Sequence, residues 1–204
     1  MGIRRVTALA VAVVTAFTAM PSIATASPGL EWRSCASQPE PDAQCAEVEV
    51  PIDRAHPGAG SARVALSRLP ATDPAHRIGS LLFNPGGPGG SGVAVVRFGV
   101  IEIPELAELR QRFDIVGFDP RGVGFSSPPI TCDPAKLYDP ALDPFPATAA
   151  GYAALVAHNR AAGADCRAKT GPLLERVDTR NAAEDIETIR IALGEPKISW
   201  LGLS

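Results

Sequence analysis

The chain has 204 residues, 46% of them hydrophobic and 20% charged, which fits one globular domain and excludes a disordered chain. Its formal net charge of −3, with no run of like charges, leaves no electrostatic footprint for nucleic acid. Twenty prolines and nineteen glycines are spread through loops between apolar runs, so they mark turns, not a low-complexity tract.

The first residues are not expected to belong to the fold. Arg4 and Arg5 precede an uncharged run from Val6 to Met20, and Ala24-Thr25-Ala26 supplies a small-x-small cleavage signal. Residues 1–26 therefore read as a secretory signal peptide, and the apolar run is shorter than the ~20 residues a spanning helix needs. The arginine pair leaves the general and twin-arginine export routes open. Cleavage before Ser27 takes the net charge from −3 to −5. The expected product is secreted and leaves the membrane once cleaved.

Export changes how Cys35, Cys45, Cys132 and Cys166 read, because an oxidising compartment lets disulfides persist. Sequence proximity favours Cys35–Cys45 and Cys132–Cys166, which would stabilise by roughly 2.5 and 4 kcal/mol on the chain-entropy model. No pair has the close C-x-x-C spacing of zinc ligands, so a metal site is not expected.

In chain order, Ala46-Glu-Val-Glu-Val-Pro-Ile52 alternates as an edge strand does, and Ala62 to Leu69 forms its antiparallel partner after a turn at Pro57, Gly58 and Gly60. Ser80–Phe83 is a short buried strand running into the glycine-rich loop 84–92. A helix is expected around Glu105–Arg112, then a buried strand at Phe113–Phe118. A Pro- and Asp-rich excursion from Ser126 to Val177 follows, helical near Gly151–Ala168. Ala182, Ile186, Ile189 and Leu193 fall on one helical face, capped by Thr179 or Asn181 and ended by Gly194 and Pro196. Lys197–Leu201 completes the series as a buried strand. Alternating strands and helices of this kind imply an α/β fold, a mostly parallel sheet flanked by helices.

Chemistry in such a sheet gathers at the carboxyl ends of the strands. Three loops emerge there. In Asn84-Pro-Gly-Gly-Pro-Gly-Gly-Ser-Gly92, Pro85 and Pro88 have no amide hydrogen, which leaves Gly86, Gly87 and Gly89 as backbone donors. Such amides aimed at one point stabilise the oxyanion of acyl transfer. The same loop fits G-x-G-x-x-G, the dinucleotide fingerprint, but Pro88 interrupts the cradle and Asp119 lies beyond the usual spacing. A purely structural turn is the plainest alternative. The second loop, Asp119-Pro-Arg-Gly-Val-Gly-Phe-Ser126, places an Asp and an Arg where they could pair, and reads as scaffold. In the third, Gly202-Leu203-Ser204 directly follows a strand, the first half of the G-x-S-x-G turn that exposes a nucleophilic serine.

These motifs resemble the prolyl iminopeptidase and tripeptidyl aminopeptidase family of α/β-hydrolases, particularly its secreted bacterial members. Pro85-Gly-Gly-Pro-Gly89 is similar to that family's H-G-G-P-G loop with proline for histidine, and Asp119–Ser126 to its D-x-R-G-x-G-x-S turn. Thr179, the helix around Asp185 and the run into Gly202-Leu-Ser204 resemble the approach to its serine elbow. The early Trp32, Cys35, Cys45 and Pro51-Ile-Asp53 also resemble its secreted members. The resemblance covers most of residues 30–204. It implies that Ser204 is the nucleophile and Gly87 an oxyanion donor, with Gly86 its neighbour. Residues 27–204 would then be the N-terminal part of a catalytic domain acting on peptide substrates, with no cofactor.

The Asp or Glu and the His of such a site follow the serine in chain order. His56, His76 and His158 all precede it, so residues 27–204 are expected to be catalytically inactive by themselves. An ester hydrolase of the same fold, or a non-enzymatic secreted remnant, is the alternative.

Overall fold

A computed structural model describes residues 29–35, 41–99 and 103–204; the expected signal segment lies outside them. The centre is a six-stranded mixed sheet in the order β1-β2-β3-β5-β4-β6. β1 (Arg33–Ser34), β2 (Gln44–Pro51), β3 (Ser61–Leu69) and β5 (Phe113–Phe118) run antiparallel to their neighbours in turn. β4 (Gly79–Asn84) lies between β5 and β6 (Ser199–Gly202), parallel to both. The sheet is thus less parallel than expected, because β2 and β3 form a hairpin that joins through β3 to β5 in antiparallel sense.

The alternation in β2 has a direct cause. Val48 and Val50 turn toward the core while Glu47 and Glu49 stay exposed, as on a strand with one covered face. The two-residue β1 lies outside it, so β2 is not the outermost strand. From Val64 to Ser67 every residue of β3 is buried, since helices cover both faces there. β4 and β5 are buried almost throughout for the same reason.

On one face Leu69, Leu81, Phe83 and Ile115 pack with Val96 of α1 (Gly92–Phe98) and Leu106 of α2 (Pro104–Leu109). On the other, Val50, Val64, Leu66, Leu82, Val116 and Phe118 pack with Ile189 of α5 (Thr179–Ala192) and with Leu173. Leu173 belongs to a 3-10 turn, Gly171–Arg176, that closes the excursion. Burying a side chain of this size is worth about 1.5–3 kcal/mol relative to exposure, so these two layers are what hold the sheet.

The excursion carries α3 (Pro134–Leu137) and the long helix α4 (Ala149–Thr170), and Cys132–Cys166 ties the segment just before α3 to α4. Cys35–Cys45 fastens the N-terminal segment to β2. Both expected pairings are present. No helix among the described residues is long and apolar enough to cross a membrane.

Four local expectations change. α1 has no counterpart in the sequence reading, because Val-Ala-Val-Val after a glycine run looks like strand or loop. It forms because Ser91 caps it, accepting from the Ala94 amide at 2.9 Å. α2 stops at Leu109, and Arg110–Arg112 turn into β5. α5 is capped by Asp178, not by Thr179 or Asn181; its carboxylate accepts from the Asn181 amide at 2.9 Å. β6 is not buried: it pairs only with β4, and Trp200 stays 49% exposed on the outer edge of the described sheet.

Candidate active site

β4 and β6 are adjacent and parallel, so their carboxyl ends deliver two loops to one place. Asn84 pairs with Gly202 at the end of this ladder, and the Leu203 amide donates to the Asn84 carbonyl at 3.0 Å. The chain then reaches Ser204, exposed and with φ 58°, a left-handed conformation uncommon for a residue with a side chain. No hydrogen bond engages its hydroxyl among the described residues.

The glycine-rich loop folds over the same point. Gly86 has φ 84°, and a Cβ there would lie 2.9 Å from the Ser204 Cβ and 2.7 Å from its carbonyl oxygen, nearer still to the Leu203 carbonyl. Only glycine lets the loop approach the serine turn this closely. The Gly86 amide donates to Asn84 Oδ1 at 2.8 Å, and its carbonyl accepts from Gly90 at 3.0 Å. The amides of Gly87 and Gly89 have no acceptor among the described residues. Of the three donors named from the sequence, Gly86 is therefore committed within the loop, while Gly87 and Gly89 are open.

Asp119 supports this loop from behind. It is fully buried, and Oδ1 accepts from Ser91 Oγ at 2.8 Å and from the Val93 amide at 3.0 Å. Oδ2 accepts from the Phe125 amide at 2.8 Å. One carboxylate thus joins the start of α1 to the turn after β5. α1 sits backbone-to-backbone on the sheet, since a Cβ on Gly92 would meet the Phe118 carbonyl oxygen at 2.6 Å.

Asp119 and Arg121, which the sequence placed within pairing reach, do not pair. Arg121 turns inward to Asp185 on α5, and also donates to the carbonyls of Ile52 and Pro51. Asp119 is occupied by amides and a hydroxyl, so its carboxylate is not free for catalysis. The scaffold reading of this turn holds, through different partners.

The three histidines lie away from this chemistry. His56 and His76 bond Asp53 and Asp73 within exposed turns, at 3.2 Å and 2.8 Å. His76 precedes β4, at the end of the strand opposite Ser204. His158 sits on α4. No cluster of His, Cys, Asp or Glu suited to a metal ion occurs among the described residues.

Sequence reasoning passed over Asn84 and Ser91. The second carried a legible signal, a serine one residue before a helical segment. The first did not, because its role depends on a loop curling back on its own strand.

Residues 79–204 match the model of the alpha/beta hydrolase fold family. The chain is 38% identical to the tripeptidyl aminopeptidase of Streptomyces coelicolor over 181 residues, covering 86% of this chain and 33% of that protein. It is equally similar, at 38% over 187 residues, to the serine protease Hip1 of Mycobacterium tuberculosis, covering 86% of this chain and 34% of the relative. Carboxylesterase B of the same organism is 38% identical over 183 residues, covering 84% and 34%. The chain thus spans about a third of the length of these relatives. By the family match over most of its length, and by the strand order and loops just described, this chain belongs to the α/β-hydrolase fold family.

Proposed function

We propose that the full-length protein is an exported serine exopeptidase that releases short peptides from free N-termini through an acyl-enzyme on Ser204. The observation that carries this reading is the packing of Gly86 against the Ser204 backbone, with the open Gly87 amide next in the loop. Ser204 Oγ attacks the scissile carbonyl while a histidine accepts its proton and passes it to the leaving amine as the C–N bond breaks. Water then hydrolyses the acyl-enzyme to release the peptide. The carbonyl oxygen, negative in the tetrahedral intermediate, takes a hydrogen bond from Gly87 and one from the residue after the serine. The histidine and its orienting acid follow the serine in this fold, in the part of the relatives' length that this chain does not span.

The peptide substrate rests on likeness to the tripeptidyl aminopeptidase and Hip1. Carboxylesterase B, at the same identity, favours an ester hydrolase as the second reading, because acyl transfer to serine serves both bonds. A tripeptide p-nitroanilide with a free N-terminus, set against p-nitrophenyl acetate, separates them in the full-length protein. The anilide is expected to show the higher kcat/KM, and Ser204→Ala to lower kcat about a million-fold. Full activity in Ser204→Ala would remove Ser204 from the mechanism.

Export is part of the proposal. The charged start, apolar run and Ala24-Thr-Ala26 act together as a signal, and two disulfides suit an oxidising compartment. Amino-terminal sequencing of extracellular protein should begin at Ser27; an intact Met1 would contradict cleavage.

A further inference from the structure

Asn84 ends β4 and holds two loops at once. Its main-chain carbonyl accepts from the Leu203 amide at 3.0 Å, and its side-chain Oδ1 accepts from the Gly86 amide at 2.8 Å. The first bond fixes the serine turn, and the second curls the glycine-rich loop back over the strand end. With its amide spent on Oδ1, its carbonyl on Gly90 and its α-carbon against Ser204, Gly86 is held on every side. The adjacent peptide group is treated differently, since the Gly87 amide is left without an acceptor among the described residues.

Two neighbouring amides therefore have separate duties. A donor accelerates acyl transfer when it is already aimed before charge develops, because no reorganisation is then needed at the moment of reaction. Removing Oδ1 leaves the Gly86 amide to water or to the site itself, and frees the peptide that orients Gly87. We infer that Asn84 is a positioning residue for the oxyanion site, and that Gly87, not Gly86, is the donor it sets. This inference rests on the serine-hydrolase reading above.

A change of side chain at position 84 leaves the main-chain bond to Leu203 in place, so the serine turn is spared. Asn84→Ala removes the acceptor, Asn84→Leu removes it while keeping the branched shape, and Asn84→Asp retains an acceptor oxygen. In the full-length protein, with the tripeptide p-nitroanilide as probe, Ala and Leu are expected to lower kcat about 100-fold with KM held within about threefold. The rate of labelling by a fluorophosphonate should fall in step, and Asn84→Asp should recover at least about tenfold of the lost kcat. Leu keeps the test alive if Ala fails to fold. Unchanged kcat in a folded Ala or Leu variant would overturn the inference, as would equal changes in KM and kcat with no recovery by Asp. Ser204→Ala distinguishes the two levels. If it is inactive while the Asn84 variants are normal, only the role of Asn84 falls. If it is active, the serine reading falls with it.

Discussion

Arg121 and Asp185, separated by 64 residues, meet as a two-point ion pair, with Nε to Oδ2 at 2.8 Å and Nη2 to Oδ1 at 2.6 Å. They are only 2% and 1% exposed. Arg54 adds a second guanidinium on Oδ1 at 2.7 Å, and the carbonyls of Pro51 and Ile52 take two further Arg121 donors. The pair thereby fastens helix α5 to the turn after β5 and to the end of β2. That geometry matters for the site, because α5 leads directly into β6 and Ser204.

Asp185→Asn is expected to destabilise the full-length protein strongly. The substitution keeps the shape but leaves the buried Arg121 charge without its counter-ion, a loss of about 3–5 kcal/mol for a pair of this kind. Urea unfolding should show the fall in midpoint. Glu187→Gln, which removes an exposed partner of Arg190 on the outer side of the same helix, should leave the midpoint unchanged. An Asp185→Asn midpoint equal to wild type would mean that the pair does not anchor α5.

Acid should loosen the excursion before the sheet. The Lys136 ammonium, which hydrogen-bonds Asp165, together with the Asp133 amide, lowers the Asp165 carboxyl from 3.8 to about 2. A depressed pKa means that the unfolded chain binds the proton first, so the stabilisation is complete above about pH 4 to 5. It is lost as pH falls through the window from 3.8 toward 2. Hydrogen exchange in α3 and α4 should rise across that window, and Asp165→Asn should flatten the dependence. Identical acid profiles for wild type and variant would assign the effect to other carboxylates. Asp53, lowered to about 2 by its hydrogen bond from Arg176 and then by His56, titrates in the same window and ties the end of the excursion to the β2–β3 turn.

How much was legible in advance depended on how local the governing interactions are. Periodicity placed β2 and α5, and short apolar runs placed β4 and β5, within a few residues, because burial on one face or two writes itself into the side-chain pattern. The disulfide pairings were equally legible, since short loops close most readily. Capping was less so. Asp178, Thr179 and Asn181 all suit an N-cap, and only the path of the chain from the 3-10 turn selects Asp178.

The sequence by itself determined the kinds of chemistry present: a serine behind a strand, a glycine-rich loop rich in amides, and an acid and an arginine in one turn. Tertiary structure alone decided which groups meet. Parallel pairing of β4 with β6 brings Gly86 against Ser204 across more than a hundred intervening residues. Packing of α5 draws Arg121 away from its neighbour Asp119 to Asp185, because a buried guanidinium needs a carboxylate that can face it with both oxygens. The amides around Asp119 fill that carboxylate instead, and the Asn84 side chain decides which glycine amide stays open. Hydrogen bonds are directional and short in range, so their partners are fixed by how the elements dock, which no local pattern in the chain records.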